Sequence, residues 1–64
     1  MKRVIYRFTL YTGSEEEGNL KEIQSMTIGI HPDTNLNVIA KCLMDNNHAD
    51  EITCEKLMTC DIEE

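Results

Sequence analysis

The chain has 64 residues, with 12 Asp and Glu against 6 Lys and Arg, a formal net charge of −6. That length makes one small domain, which buries only about 60% of the surface its unfolded chain would expose, and it leaves too few residues to wall a deep substrate pocket as well as a core. The acidity argues against free DNA or RNA and against an anionic membrane as ligand, because both demand Lys and Arg.

The N-terminal stretch Met1–Arg7 has no apolar run long enough for a signal peptide, and no segment approaches a membrane span. The cytoplasm is therefore the expected compartment. Residues 3–12 predict a first strand, with Val4, Tyr6, Phe8 and Leu10 on one face and Arg3, Arg7 and Thr9 on the other. Ile5 and Tyr11 make that second face only partly polar. Gly13-Ser14-Glu15-Glu16-Glu17-Gly18-Asn19 predicts a connecting loop. Its glycines and Asn supply positive φ, and its three adjacent carboxylates repel one another into water.

Residues 20–30 predict a second strand. Met26, Ile28 and Ile30 alternate, but Ile23 is out of phase with Leu20 and Met26, which predicts a β-bulge near Gln24-Ser25. His31-Pro32-Asp33-Thr34 ends the strand. Asp33 or Thr34 is expected to cap the helix that follows. Leu36, Ile39, Ala40, Leu43 and Met44 fall on one arc at helical spacing, and Asn46-Asn47 are the expected C-terminal caps. Val38 and Cys42 project elsewhere.

Residues 52–62 alternate again. Ile52, Cys54, Met58, Cys60 and Ile62 are apolar at even positions, with Lys56 the exception. Thr53, Glu55, Thr59 and Asp61 are polar at odd positions, with Leu57 the exception. This is a third strand with one buried face. The first strand carries Lys2, Arg3 and Arg7, and the last carries Glu51, Glu55, Asp61, Glu63 and Glu64 against Lys56 alone. Opposite charges attract across a ladder, so the terminal strands are expected to pair, with the second strand on the far side of the first. The fold class is α+β, in the order ββαβ: a small antiparallel or mixed three-stranded sheet with one helix on one face. The order resembles β-grasp folds in outline.

Cys42, Cys54 and Cys60 show no Cys-x-x-Cys spacing. Within one regular strand, Cys54 and Cys60 share a face but stand about 20 Å apart. That is too far for a disulfide or a shared zinc ion. Reduced thiols packed as small hydrophobes are the expectation. His31 and His48 lie in expected loops, and the run Asp45–Asp50 lacks the glycine and acidic spacing of a calcium loop. Ser14 and Ser25 have no nucleophile elbow, and the glycines are too scattered for a phosphate loop. No catalytic, cofactor-binding or metal-ligating residue is assigned, no cofactor is expected, and an enzyme is the least favoured class.

The partly polar sheet face is the candidate site. Ile5, Arg7, Thr9 and Tyr11 are expected to share it with Thr53, Glu55, Leu57 and Thr59, joined by Ile23 and Thr27. Tyr and Arg among aliphatics suit an interface. The assigned protein-binding residues are Ile5, Arg7, Tyr11, Glu55 and Leu57 on the sheet, with Glu15, Glu16 and Glu17 steering from the loop. In size, acidity and lack of motifs the chain resembles the small inhibitors encoded by phages and mobile elements, including anti-CRISPR proteins. That resemblance implies a module that sterically blocks another protein, with a basic surface on the partner suiting the acidity. Two alternatives stand beside it. One is a nucleic-acid mimic whose carboxylates replace phosphates in a basic groove. The other is a structural homo-oligomer such as a homodimer.

Overall fold

The computed structural model describes residues 1–61. Strand β1 spans Lys2–Thr12, β2 Lys21–Ile30, helix α1 Leu36–Asn47 and β3 Glu51–Asp61. The sheet order is β2-β1-β3, and both neighbours run antiparallel to β1. The fold is the expected ββαβ type, and the terminal strands do pair. Because β2 and β3 are both antiparallel to β1, they run parallel to each other, with β1 between them, as in a split β-α-β unit. Ile62, Glu63 and Glu64 lie outside the described residues.

The core is small. Phe8 and Leu10 are fully enclosed, and Val4 and Ile30 nearly so. All four are on the face that carries Tyr6, Met26 and Ile28, so the helix covers this side. Its half-buried residues are Leu36, Ile39, Ala40, Leu43, Met44 and Asn47, the expected arc plus one, while Val38 and Cys42 are exposed. Close backbone approaches of α1 are to β1 and β3, with none to β2. An 11-residue strand extends about 36 Å, whereas a 12-residue helix extends about 18 Å. One helix therefore shields about half the length of the sheet.

The proportions follow. A compact chain of this length has a Cα radius of gyration of about 11 Å. Here it is 13.4 Å, with principal extents of 46 × 18 × 15 Å. Among the described residues no helix is long and apolar enough to cross a membrane.

The helix ends differ from expectation. Thr34 N–H donates to the His31 carbonyl at 3.0 Å, closing a turn that uses up residues 31–34. The cap passes to Asn35, whose Oδ1 accepts from Asn37 N–H at 2.9 Å. At the other end Asn46 and Asn47 are helical, and Asn47 Nδ2 donates back to the Leu43 carbonyl at 2.8 Å. The left-handed C-cap is His48, at φ 53°. The left-handed residue closes the helix on one acceptor, with both His48 and Ala49 N–H groups donating to the Met44 carbonyl.

Two bulges set the faces of the sheet. Leu10 pairs with Gln24 and Tyr11 with Glu22, so Ile23 is the extra residue in β2. The bulge lies one residue before the expected Gln24-Ser25. Ile5 pairs with Met58 and Tyr6 with Lys56, so Leu57 is the extra residue in β3. Even-numbered residues before Leu57 share the helix side with Phe8, while Met58 and Cys60 beyond it share the opposite side with Ile5 and Arg3. Cys54 and Cys60 therefore face opposite ways, correcting the expected single inward row. Nor are the thiols core residues: Cys42 and Cys54 are exposed, Cys60 is half-buried, and all three are free.

Candidate functional site

The face away from the helix carries no layer of its own among the described residues. Its residues follow from the register, since directly paired residues point to the same side. Ile5 lies between Gly29 and Met58, Arg7 between Thr27 and Glu55, Thr9 between Ser25 and Thr53, and Tyr11 between Glu22 and Glu51. Arg3 and Cys60 form a further pair on this side.

The surface is graded along its length. At one end Ile5 Cδ1 lies 3.2 Å from where a Cβ on Gly29 would stand, so the missing side chain is the seat for Ile5. Met58 beside it is 55% exposed and the bulged Leu57 38% exposed, which leaves apolar surface in water. Next comes the ion pair Arg7 Nη1 to Glu55 Oε2, at 3.5 Å, with both side chains half or more exposed. Such a pair contributes about 0–1 kcal/mol. It orients two charges more than it holds the sheet. A row of small hydroxyl residues follows, with Thr9 nearly enclosed at its centre. Tyr11, half-buried between two acids, closes the face.

The acidic loop adjoins the Tyr11 end. Gly13 and Gly18 take φ of 96° and 70°, the positive values expected of this turn. Asn19 holds the loop closed, accepting from Ser14 N–H through Oδ1 at 2.7 Å and donating its own N–H to the Ser14 carbonyl at 3.2 Å. Glu15, Glu16 and Glu17 are all exposed. Asp50 is tied to the same end: its N–H donates to the Tyr11 carbonyl at 2.8 Å, and its Oδ2 accepts from Gly13 N–H at 2.9 Å. Glu15, Glu16, Glu17, Glu22, Asp50 and Glu51 thus collect at one end of the molecule, with Lys21 the basic residue among them.

The structure brings Ile5, Arg7, Tyr11 and Glu55 onto one face, as expected, and sets Glu15–Glu17 beyond one end of it. Leu57 and Ile23 have no ladder partners, because each is the extra residue of a bulge. Thr59 pairs with Val4 and so belongs to the helix side. The expected face is corrected by the loss of Thr59 and the gain of Met58, Cys60, Glu22, Ser25, Gly29 and Glu51. The signal for the largest change was in the sequence: Lys56 and Leu57, the adjacent breaks in alternation, flank the slip.

Among the described residues no pocket is formed, and no three His, Cys, Asp or Glu side chains converge as a metal site would require. His31 Nδ1 lies 3.9 Å from Asp33 Oδ2 and accepts from Asp33 N–H at 3.2 Å, a local turn contact. Of the thiols, Cys54 is distinct: although its side chain is largely exposed, desolvation by the neighbouring protein raises its pKa above the ordinary thiol value, which favours the protonated, less nucleophilic form.

No protein-family model, curated protein or solved structure matches this chain. The likeness to β-grasp folds accordingly extends to the order of elements alone.

Proposed function

We propose that the protein is a small binding module that acts by occupying the surface of another protein, as a steric inhibitor or regulator. The observation that carries this reading is the uncovered sheet face, with Ile5 and Met58 at one end and Tyr11 at the other, and with the bulged Leu57 exposed next to Met58 in the chain. Exposed Met58 and Leu57 cost the isolated molecule apolar hydration that a partner would relieve. Arg7 and Glu55 between them give the contact a polarity and hence a register. The target is another protein rather than a nucleic acid or membrane, and the acidic end steers the approach towards basic surface. The style of action is that of the mobile-element inhibitors the sequence resembles, including anti-CRISPR proteins.

A second reading, nucleic-acid mimicry, is favoured by the gathering of acids around the loop. Pull-down from a native host lysate at low and high salt separates the two. Apolar docking predicts capture that survives high salt and is lost in Met58→Glu, while Val38→Glu on the outer helix surface leaves it intact. Capture that vanishes with salt and with Glu15→Gln/Glu16→Gln/Glu17→Gln, but is indifferent to Met58→Glu, overturns docking in favour of mimicry.

A further inference from the structure

We propose that the free edge of β2 is a self-association interface, at which two copies pair antiparallel about Thr27 to make a continuous six-stranded sheet. The two outer edges of this sheet are not alike. Natural edge strands are protected by charge, bulges or proline. The β3 edge has both of the first two: Glu51, Glu55, Lys56 and Asp61, with the bulge at Leu57 in its middle. The β2 edge has neither between Gln24 and Ile30. Those seven residues carry no charge, pair with β1 without interruption, and have no other element against them among the described residues.

The stretch is bounded at both ends. The bulge at Ile23 breaks the ladder on one side. On the other, Pro32 lies just past Ile30 and lacks an N–H. The run Gln24–Ile30 is centred on Thr27. A two-fold pairing there matches Gln24 with the partner's Ile30, Ser25 with the partner's Gly29 and Met26 with the partner's Ile28. Every uncharged residue meets an uncharged residue. Centring on Met26 instead would set Ile30 against the partner's Glu22. Pairing about Thr27 also keeps Met26, Ile28 and Ile30 on the helix side, where they extend one apolar strip across both copies. Helix α1 makes no close approach to β2, and Met26 and Ile28 are only half-buried, so this part of the strip is open to the partner copy, while Ile30 is already enclosed.

The self-matching run Gln24–Ile30 selects a second copy as the occupant, and charge permits it in this register. Each chain carries −6, which opposes most self-contacts. Antiparallel pairing sends the acidic ends in opposite directions: Glu22 of the two copies would stand about 33 Å apart at ~3.3 Å per residue, several Debye lengths at physiological salt. The opposite sheet faces of the two copies then lie side by side, doubling the docking surface. The self-pairing rests on the edge rather than on that docking reading, and either can fail alone.

The test is light scattering on the full chain, with circular dichroism as the check on folding. Wild type should weigh twice the 7.4 kDa chain. Thr27→Lys sets two ammonium groups opposite each other at the two-fold, beside both copies of Arg7, and should halve the mass while the molecule stays folded. Thr53→Lys, the same exchange on the β3 edge, should leave the dimer intact. Isotope-filtered NMR on mixed labelled and unlabelled wild type should show Met26 against Ile28 between chains, and this decides the matter if Thr27→Lys fails to fold. A wild type that weighs one chain at every soluble concentration, a dimeric Thr27→Lys, or inter-chain contacts from Ile5 and Met58 instead would each overturn the proposal.

Discussion

Gly13 and Gly18 lie in one loop, both at positive φ, yet the same substitution should have very different costs. A Cβ on Gly18 meets nothing within 4 Å. Gly18→Ala therefore pays only for holding an L-residue in the left-handed region, about 1–2 kcal/mol. A Cβ on Gly13 would stand 2.4 Å from the Asn19 carbonyl oxygen and 2.7 Å from Asn19 Oδ1. The first is backbone and cannot swing aside. It is also held, because Asn19 N–H is bonded to Ser14. Relief requires opening the loop, which gives up two bonds between Ser14 and Asn19 and the Gly13 bond to Asp50. Neutral bonds contribute about 0.5–1.5 kcal/mol each and one to a carboxylate about 1.5–3. Gly13→Ala should thus cost about 3–6 kcal/mol, against a total stability of about 3–10 kcal/mol for a chain of this size. Urea denaturation followed by circular dichroism measures both. Gly13→Ala should lose most of its folded baseline, and Gly18→Ala should shift the midpoint modestly. Equal midpoints for the two variants would refute the claim that the packed Asn19 backbone, rather than the sign of φ, dominates.

Phe8 is fully enclosed in a core that, among the described residues, has three other buried apolar side chains, Val4, Leu10 and Ile30. Phe8→Ala should cost about 3–5 kcal/mol and leave the chain largely unfolded by circular dichroism at 25 °C. The raised Cys54 pKa predicts slower alkylation of Cys54 in the folded protein than in urea at mildly alkaline pH, read peptide by peptide by mass spectrometry. A thiol pKa raised by folding favours the native state below the unfolded thiol value, and that contribution is lost as pH climbs through the folded one. Folding should therefore weaken slightly on the alkaline side, and a Cys54→Ser variant should lack this component.

Much of the architecture was legible because it rests on periodicity and charge. The helical arc Leu36–Met44 and the alternation of Val4 to Leu10 each name their buried side directly, and bases on one strand against acids on another named the neighbours. The cap was missed for a local reason: Asp33 and Thr34 have the right chemistry, but a turn closed by the His31 carbonyl claims them first. His48 was missed as the C-cap because two asparagines precede it, and propensity favours them. The larger error concerned the cysteines. Even numbering from Ile52 to Cys60 reads as one face only while every residue advances the ladder by one step. Leu57 does not, so Met58 and Cys60 keep their parity in the sequence and change sides in space. The candidate face was consequently read with Thr59 in place of Met58. Tertiary pairing decides where an extra residue is absorbed, and no count along a single strand contains that information.

The supernumerary Leu57 has a consequence for growth. Removing it would leave each remaining ladder partner in β3 where it is, since Lys56 already faces Tyr6 and Met58 already faces Ile5. What would change is the straightness of that border. If copies pair along β2 as proposed, an unkinked β3 would leave only its charges to keep both flanks from templating further addition. On the proposed pairing, the kink at Leu57 would act together with Glu51, Glu55, Lys56 and Asp61 to keep growth from passing the second copy.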